Sequence, residues 1–151
     1  MRLLDRLHEG AVYPRRVRVL GERIADLLPR EAGVLDVGCG DGSVARALLA
    51  RRPDVRVEGI DVLVRPDAAI PVMHFDGRTI PHEDGSFDAA VVVDVLHHAD
   101  DPDALLRETV RVARRCVVVK DHLTDGFLAE PTLRFMDSVG NRRHGVALPY
   151  G

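Results

Sequence analysis

Three glycines at alternate positions, Gly38, Gly40 and Gly42, follow a short apolar run that contains one acid, Asp36. The β-branched residues before them predict a buried strand, and the alanine- and leucine-rich run after them predicts a helix. Glycines let the backbone turn tightly and lie close to a ligand, and the start of a helix offers backbone N–H groups to it. The stretch therefore predicts the nucleotide-binding unit of an α/β protein.

The spacing of the glycines separates two classes of ligand. A dinucleotide fingerprint has the form G-x-G-x-x-G, with its helix start facing a pyrophosphate. Here the pattern is G-x-G-x-G, with Asp36 two residues before Gly38. An acid at this point suits a cationic ligand better than a pyrophosphate, although a glycine-rich turn of some other α/β protein stays open as the alternative.

The sequence VLDVGCGDG resembles the first motif of the class I S-adenosylmethionine-dependent methyltransferases. This resemblance implies a doubly wound α/β fold with a mostly parallel, Rossmann-like sheet. It also implies S-adenosylmethionine as cofactor. Asp36 would favour its methionine ammonium group, and the loop residues around it would be Gly38, Cys39, Gly40 and Gly42.

A second acid, Asp61, ends a predicted strand over residues 55–60, about 20 residues past the glycines. An acid at this place can hydrogen-bond a ribose diol, and the family has one there. We therefore expect Asp61, with its neighbour Val62, to contact the ribose. The alternative is a plain helix N-cap.

A third strand is predicted over residues 70–75, after an abbreviated connection, and Asp76-Gly77 follows it. In the family, an acid at this place accepts a hydrogen bond from the adenine amino group. A simple Asp-Gly turn is an equal alternative.

The apolar run of residues 87–93 predicts a central parallel strand that ends at Asp94. The following Val-Leu-His-His resembles the family segment at the methionine end of the cofactor, so Asp94 is a further candidate cofactor contact. If the acceptor is a poor nucleophile, a general base is needed, and His98 is the preferred candidate. The other candidates near strand ends are His97, His122 and Asp121.

Two further helices are predicted around this core. The first begins at Pro14 and is stopped by Pro29, and either Tyr13 or one of its arginines could close over the ligand. The second begins with Asp101 as N-cap and carries Arg114 and Arg115 at its end. Its buried face is expected to consist of Leu105, Leu106, Val110 and Ala113.

After a fifth strand over residues 116–119, the C-terminal strands of the family are curtailed. We expect a helix over residues 131–139 and only one strand-like stretch, over residues 145–148. The prediction is a single domain over residues 1–151 with a cofactor-binding core over residues 10–122. An unprotected fifth-strand edge favours a homodimer.

Composition restricts the partners. The 151 residues carry a formal net charge of −3, which gives no argument for nucleic acid, and the apolar runs are too short to span a membrane. The two cysteines lie far apart without metal-ligand or disulfide spacing, so no metal is expected and a cytoplasmic location is favoured.

The interpretation that follows is an S-adenosylmethionine-dependent methyltransferase, similar to quinone-biosynthesis C-methyltransferases, that acts on a small molecule by in-line displacement. Two alternatives remain at this stage. One is a non-catalytic domain that binds the cofactor or dimerises, and the other is a fragment of an NAD-binding oxidoreductase.

Overall fold

A computed structural model describes residues 13–122, which form one five-stranded sheet with helices on both faces. All four strand pairings are parallel, and the strand order is β3-β2-β1-β4-β5. In chain order the elements are α1 (Tyr13–Leu27), β1 (Gly33–Val37), α2 (Ser43–Arg51), β2 (Arg56–Asp61), β3 (Val72–His74), β4 (Phe87–Val93), a 3₁₀ turn (Leu96–His98), α3 (Pro102–Val112) and β5 (Ala113–Lys120). The predicted fold class is confirmed for this part of the chain.

Two apolar clusters, one on each face, hold the layers together. Alternation along β1 sends Val34 toward α1 and α2, while Leu35 and Val37 face the α3 side. The central strands are buried on both faces, as parallel strands covered by helices must be. Because β1 lies between β2 and β4, the chain reverses its direction of winding at the carboxyl end of β1. Open α/β sheets bind ligands at such a point.

The C-terminal end and the middle of α1 are fixed to the rest of the structure by different contacts. At its C-terminal end, the Arg52 guanidinium donates to the carbonyl oxygens of Ala25 (2.8 Å), Leu28 (3.2 Å) and Pro29 (2.8 Å). These bonds satisfy carbonyl groups that the end of a helix leaves without partners. Further back in the helix, Gly21 is buried against α2, where a Cβ would lie 2.6 Å from Ala47 Cβ.

The extent of the third strand and the boundary between α3 and β5 differ from the prediction. The third strand is limited to Val72–His74, since Pro71 lacks the N–H that would extend it. The helix α3 ends at Val112, and the next three residues, expected at its end, belong to β5. Pairing of Phe87 with Ala113 overrides the local helical pattern.

The buried face of α3 also differs from the prediction. Val110 is 57% exposed, and Thr109 is buried in its place because its hydroxyl donates to the Leu105 carbonyl oxygen at 2.8 Å. The predicted N-cap is confirmed, since the Asp101 carboxylate accepts from the Ala104 amide at 2.9 Å. The helix and strand expected after residue 122 lie outside the described residues.

Within residues 13–122, none of the helices combines the length and the apolar character that a membrane crossing requires.

Replacing Gly21 by alanine tests the contact between α1 and α2. In a free helix this change stabilises by roughly 1 kcal/mol, but here the added methyl group would overpack the interface at a cost of about 1–3 kcal/mol. We expect Gly21→Ala to lower the free energy of unfolding measured in urea. Val19→Ala, at an exposed position of the same helix, is the matched control and is expected to be neutral. A more stable Gly21→Ala variant would contradict the close contact.

Candidate functional site

The glycine loop lies where β1 gives way to α2. Gly38, Gly40 and Gly42 have φ values of +70°, +58° and +72°, a region that side chains disfavour. Two of them are also crowded: a Cβ on Gly38 would lie 2.4 Å from Val95 Cγ2, and one on Gly42 would lie 2.8 Å from Ile70 Cγ1. Among residues 13–122, the Arg65 guanidinium alone comes within 4 Å of a Cβ built on Gly40, at 3.8 Å. The loop is therefore packed at both ends and open in the middle.

The amide groups of this loop donate almost entirely within the chain. The bonds are Gly38 and Cys39 to the Ile60 carbonyl oxygen (2.8 and 3.2 Å), Gly40 to Asp61 Oδ2 (2.8 Å), Gly42 to the Cys39 carbonyl oxygen (2.9 Å) and Ser43 to Asp41 Oδ1 (2.9 Å). At the helix start, where the sequence predicted N–H groups available to a ligand, the Ser43 amide is therefore engaged within the chain. The engagement of the five amides argues against a pyrophosphate cradle, which needs such groups.

The Asp61 carboxylate ties the end of β2 to the glycine loop. Its Oδ2 accepts from the Gly40 amide and its Oδ1 from the Leu63 amide, both at 2.8 Å. Each oxygen retains acceptor capacity for a ligand. No helix follows Asp61 before residue 96 in the described chain, so the N-cap alternative is wrong. The next side chain, Val62, is 55% exposed.

Asp36 is a buried acid in the middle of the sheet. It lines a small cavity together with the apolar side chains of Ile24, Ala45 and Val91, and it is 6% exposed. Burial, followed by the negative charge of Asp61, raises the pKa of Asp36 to about 7. A cation near this carboxyl group would stabilise its ionised form.

Cys39 is a partly buried residue of the loop. Its side chain packs on Gly59, where a Cβ would lie 2.4 Å from Cys39 Sγ. Burial raises the pKa of the thiol to about 12, with smaller contributions from Asp36 and Asp61. The thiol is therefore a packing group rather than a nucleophile.

The Asp76-Gly77 pair forms a turn that approaches Val62. Asp76 Oδ1 accepts from the amides of Thr79 (2.7 Å) and Arg78 (2.8 Å), and these bonds lower the pKa of Asp76. A Cβ on Gly77, which has a φ of +79°, would lie 3.2 Å from Val62 Cγ1. Asp76 Oδ1 therefore stabilises a turn, as the alternative interpretation of this pair expected. The same turn places Gly77 beside Val62, the residue that follows Asp61.

Asp94 stands at the end of β4 in a left-handed conformation, with a φ of +56°. Its carboxylate contacts the Arg16 guanidinium and the Lys120 ammonium group, and His122 Nδ1 lies 3.2 Å away. Its amide donates to the Lys120 carbonyl oxygen at 2.8 Å. One carboxylate thus gathers basic groups from α1 and from the end of β5.

The histidines of the 3₁₀ turn lie beside this cluster. His97 Nδ1 lies 2.6 Å from Asp121 Oδ1, and the His97 and His98 rings are 3.9 Å apart between centroids. Burial raises the pKa of Asp121, but the His97 hydrogen bond and the amides of His122 and Leu96 outweigh it and lower the pKa to about 2. The sequence analysis named all of these groups, but their spacing could not show that His97 pairs with Asp121.

The same residues bear on metal binding. His97, Asp121 and His122 place one donor atom each within 4.8 Å of one another, an arrangement that a metal ion could use. Sequence spacing could not reveal this arrangement, because the residues come from two separate strand ends. However, the Lys120 ammonium group lies 3.4 Å from His122 Nε2 and would repel a cation there.

The first turns of α1 reach over the carboxyl edge of the sheet. The Tyr13 hydroxyl donates to Asp41 Oδ2 at 3.3 Å, and Arg16 contacts Asp94. The start of the helix therefore bridges the glycine loop and the end of β4. This is the geometry needed for the predicted closure by Tyr13 or an arginine.

Comparison with protein families and curated proteins gives a consistent result. The model of a family described as a methyltransferase domain matches residues 35–116. The chain is 31% identical to 27-O-demethylrifamycin SV methyltransferase of Amycolatopsis mediterranei (strain S699), over 70% of this chain and 44% of that protein. It is 30% identical to demethylmenaquinone methyltransferase of Thermotoga maritima, over 76% of this chain and 57% of that protein. The chain spans about half the length of the curated relatives it matches.

Solved structures share the fold. A SAM-dependent methyltransferase from Thermotoga maritima, described as a possible histamine N-methyltransferase, aligns with a TM-score of 0.67 and 21% identity, over 91% of this chain and 67% of that one. The [4+2]-cyclase SpnF aligns with a TM-score of 0.59 and 27% identity, over 64% of this chain and 41% of that one. The second likeness shows that this fold alone does not fix the reaction.

The burial of Asp36 predicts a pH-dependent stability. Between its ordinary pKa of 3.8 and about 7, the folded chain keeps a proton that the unfolded chain has lost, so Asp36 destabilises increasingly as the pH rises through this range. The full effect is at most about 4 kcal/mol. We expect Asp36→Asn to be more stable than the wild type at pH 8, by an amount that shrinks toward pH 4, in denaturant unfolding. Asp67→Asn, at an exposed position, is the control; a difference independent of pH would contradict the buried, proton-holding carboxyl group.

Proposed function

The chain belongs to the methyltransferase domain family, and from this premise we propose that it is the cofactor-binding part of an S-adenosylmethionine-dependent methyltransferase. The cofactor that the family implies is S-adenosylmethionine. The proposed domain is one unit over residues 1–151, with the cofactor site within residues 10–122. The observation that supports this proposal is the set of acids around the glycine loop. The amides of Gly38, Cys39, Gly40, Gly42 and Ser43 are engaged within the chain, so carboxylates remain as the main polar groups for a ligand.

These residues fit the chemistry of the cofactor. A nucleoside with a cationic amino-acid end needs carboxylates for its hydroxyl, amino and ammonium groups, and it needs no cradle of amides for a phosphate. Acids stand at the end of β2, after β3 and within β1, namely Asp61, Asp76 and Asp36. The open side of Gly40 leaves room for a ligand against the loop.

Each residue has a proposed role in holding the cofactor. Asp61 would accept from the ribose hydroxyls, and the exposed side chain of Val62 would pack against the nucleoside. Asp76 and the backbone of Gly77 would meet the adenine edge. At the other end, the backbone near Gly38 and Asp94 would surround the amino-acid group, and Asp36 would attract its ammonium. Cys39, Gly40 and Gly42 would shape the loop surface between these ends.

The chemistry asks little of the protein beyond alignment. When bound, S-adenosylmethionine supplies a methyl group already activated by its positively charged sulfur. The chain must therefore hold the acceptor in line with that group, exclude water and remove a proton where the acceptor requires it. Deep burial of β1 and β4 gives the site a rigid floor.

Two histidines after the end of β4 are candidates for the general base. The sequence favours His98 and also names His97, and His97 Nδ1 lies 2.6 Å from Asp121 Oδ1. A carboxylate in this position fixes the tautomer of an imidazole and stabilises it when it takes up a proton. We therefore propose His97, positioned by Asp121, ahead of His98.

The acceptor that we propose is a small molecule. The rifamycin and menaquinone relatives are named for small-molecule substrates. The NAD-fragment alternative finds no support in a loop whose amides are engaged. A non-catalytic cofactor-binding domain would retain binding without turnover. We also propose that the protein is cytoplasmic and forms a homodimer. Within the described residues, β5 is one edge of the sheet, and that edge would be the site of association.

Calorimetric titration with S-adenosylhomocysteine tests the cofactor site. We expect micromolar binding by the wild type and a loss of tenfold or more, about 1.4 kcal/mol, in Asp61→Ala. Asp67→Ala changes an exposed acid on the connection between β2 and β3. It is the control and should bind like the wild type. Because Asp61 also anchors Gly40, the near-isosteric Asp61→Asn and a thermal unfolding curve separate lost recognition from a lost loop. Failure of the wild type to bind would overturn the proposal.

Variants of the two histidines test the base. With an acceptor found by screening for release of S-adenosylhomocysteine, we expect His97→Gln and Asp121→Asn each to lower kcat by about 10²-fold or more, while S-adenosylhomocysteine binding stays unchanged. His98→Gln is the matched comparison and should lose less. A larger loss in His98→Gln would return the role to His98.

A further inference from the structure

Two oppositely charged residues of α3, Glu108 and Arg111, hold the chain just after the Asp76-Gly77 turn. Glu108 Oε2 accepts from the Ile80 amide at 3.0 Å, and the Arg111 guanidinium donates to the Ile80 carbonyl oxygen at 2.9 Å. The guanidinium also donates to both oxygens of Glu108, at 2.7 Å each. One ion pair therefore holds both polar backbone groups of Ile80, and we call this pair the α3 clamp.

Arg111 extends the clamp into the loop that follows. Its guanidinium also donates to the His82 carbonyl oxygen and to Asp84 Oδ1, both at 2.8 Å. The side chains of Arg111 and Glu108 are both partly buried. A guanidinium that binds a carboxylate through two parallel bonds fixes their relative geometry, so the clamp can act as a rigid support.

Three consecutive amides connect the clamp to Asp76. The amides of Arg78 and Thr79 donate to Asp76 Oδ1, and the next amide, that of Ile80, donates to Glu108 Oε2. The orientation of the Asp76 carboxylate therefore depends on a backbone segment that the clamp fixes one residue further on.

Charge forms a second link between the clamp and the turn. The Arg111 hydrogen bond lowers the pKa of Glu108, whereas burial and the negative charge of Asp76 oppose this effect. The two carboxylates are thus close enough to interact, and Arg111 balances a negative charge that would otherwise act on Asp76.

We propose that the α3 clamp positions Asp76 for recognition of the adenine base, so that α3 sets the selectivity of the cofactor site for adenine. This inference rests on the proposed function and adds to it two positioning residues, Glu108 and Arg111, that act through Asp76. A hydrogen bond weakens steeply when its length and angle depart from the optimum, so a displaced turn would lose the bond to the adenine amino group. A base without that amino group would gain little from a well-placed turn.

The other contacts of this turn complement the clamp. Residues 76–79 lie between two buried side chains, Phe75 and Ile80, which fasten the turn to the core on either side. Arg78 pairs with Asp100 at 3.2 Å, but both side chains are exposed, and such pairs contribute little. The polar connection between this turn and α3 therefore depends on the clamp.

The test compares S-adenosylhomocysteine with S-inosylhomocysteine, in which an oxo group replaces the amino group of the base. We expect the wild type to bind S-adenosylhomocysteine more tightly by about tenfold or more in calorimetry. In Arg111→Gln this preference should fall to about threefold or less, mainly through weaker binding of S-adenosylhomocysteine. Arg107→Gln removes an exposed arginine of the same helix, and it should keep the wild-type preference.

Glu108 allows a conservative comparison. Glu108→Gln keeps an oxygen that can accept from the Ile80 amide, whereas Glu108→Ala removes it. We expect Glu108→Gln to retain most of the preference and Glu108→Ala to lose it as Arg111→Gln does. Hydrogen exchange of a peptide over residues 76–82 should become faster in Glu108→Ala and Arg111→Gln, while a peptide over β1 stays protected.

Thermal unfolding of each variant checks that the fold persists. If Arg111→Gln unfolds, Arg111→Lys takes its place, because an ammonium group keeps the charge but cannot make the parallel bonds of a guanidinium.

The outcomes separate this inference from the proposed function. An unchanged preference in Arg111→Gln and Glu108→Ala, equal losses for both ligands in these variants, or equal affinities in the wild type would each overturn the role of the clamp and leave the cofactor site standing. No binding of either ligand to the wild type would overturn both.

Discussion

The position of β1 between β2 and β4 is the constraint on which the rest of the structure depends. A strand buried on both faces and paired on both edges cannot shift its register, because any slip would break two ladders at once. The chain must therefore leave β1 at a fixed point, and the glycine loop turns there. The ends of β2 and β4 are brought to the same edge, so Asp61 and Asp94 flank the loop from opposite sides.

Within that frame, hydrogen bonding decides what kind of ligand the loop can receive. A loop whose amides point outward binds anions, whereas this one turns them toward Ile60 and Asp61 and leaves a surface bordered by carboxylates. Charge is then divided along the edge of the sheet. Acids dominate around β1 and β2, and cations gather where β4 and β5 end. A ligand with a polar nucleoside at one end and a zwitterion at the other matches this division.

Much of this could be predicted from the sequence, for reasons that are local. The alternating glycines, the N-cap Asp101 and the continuous apolar run of β4 each carry their own physical signal, and the structure bears out the elements they predict. Pairing over long distances carried no such signal. The contact of Arg16 with Asp94 and the bond between His97 and Asp121 join residues from separate elements, so spacing could not reveal them. The boundary between α3 and β5 was missed because strand pairing overrode a helical pattern, and the engaged loop amides depend on a carbonyl group from β2.

The two ends of α1 are anchored to different degrees. At the C-terminal end, Arg52 donates hydrogen bonds to three carbonyl groups, and in the middle of the helix Gly21 packs directly against α2. Within residues 13–122, the hydrogen bonds that tie the beginning of the helix to other elements are made by side chains, those of Tyr13 and Arg16. We therefore expect local opening of this helix to cost less free energy at its beginning than at its C-terminal end. A tilt of this one helix would uncover the carboxyl edge of the sheet while the sheet and its core stay intact.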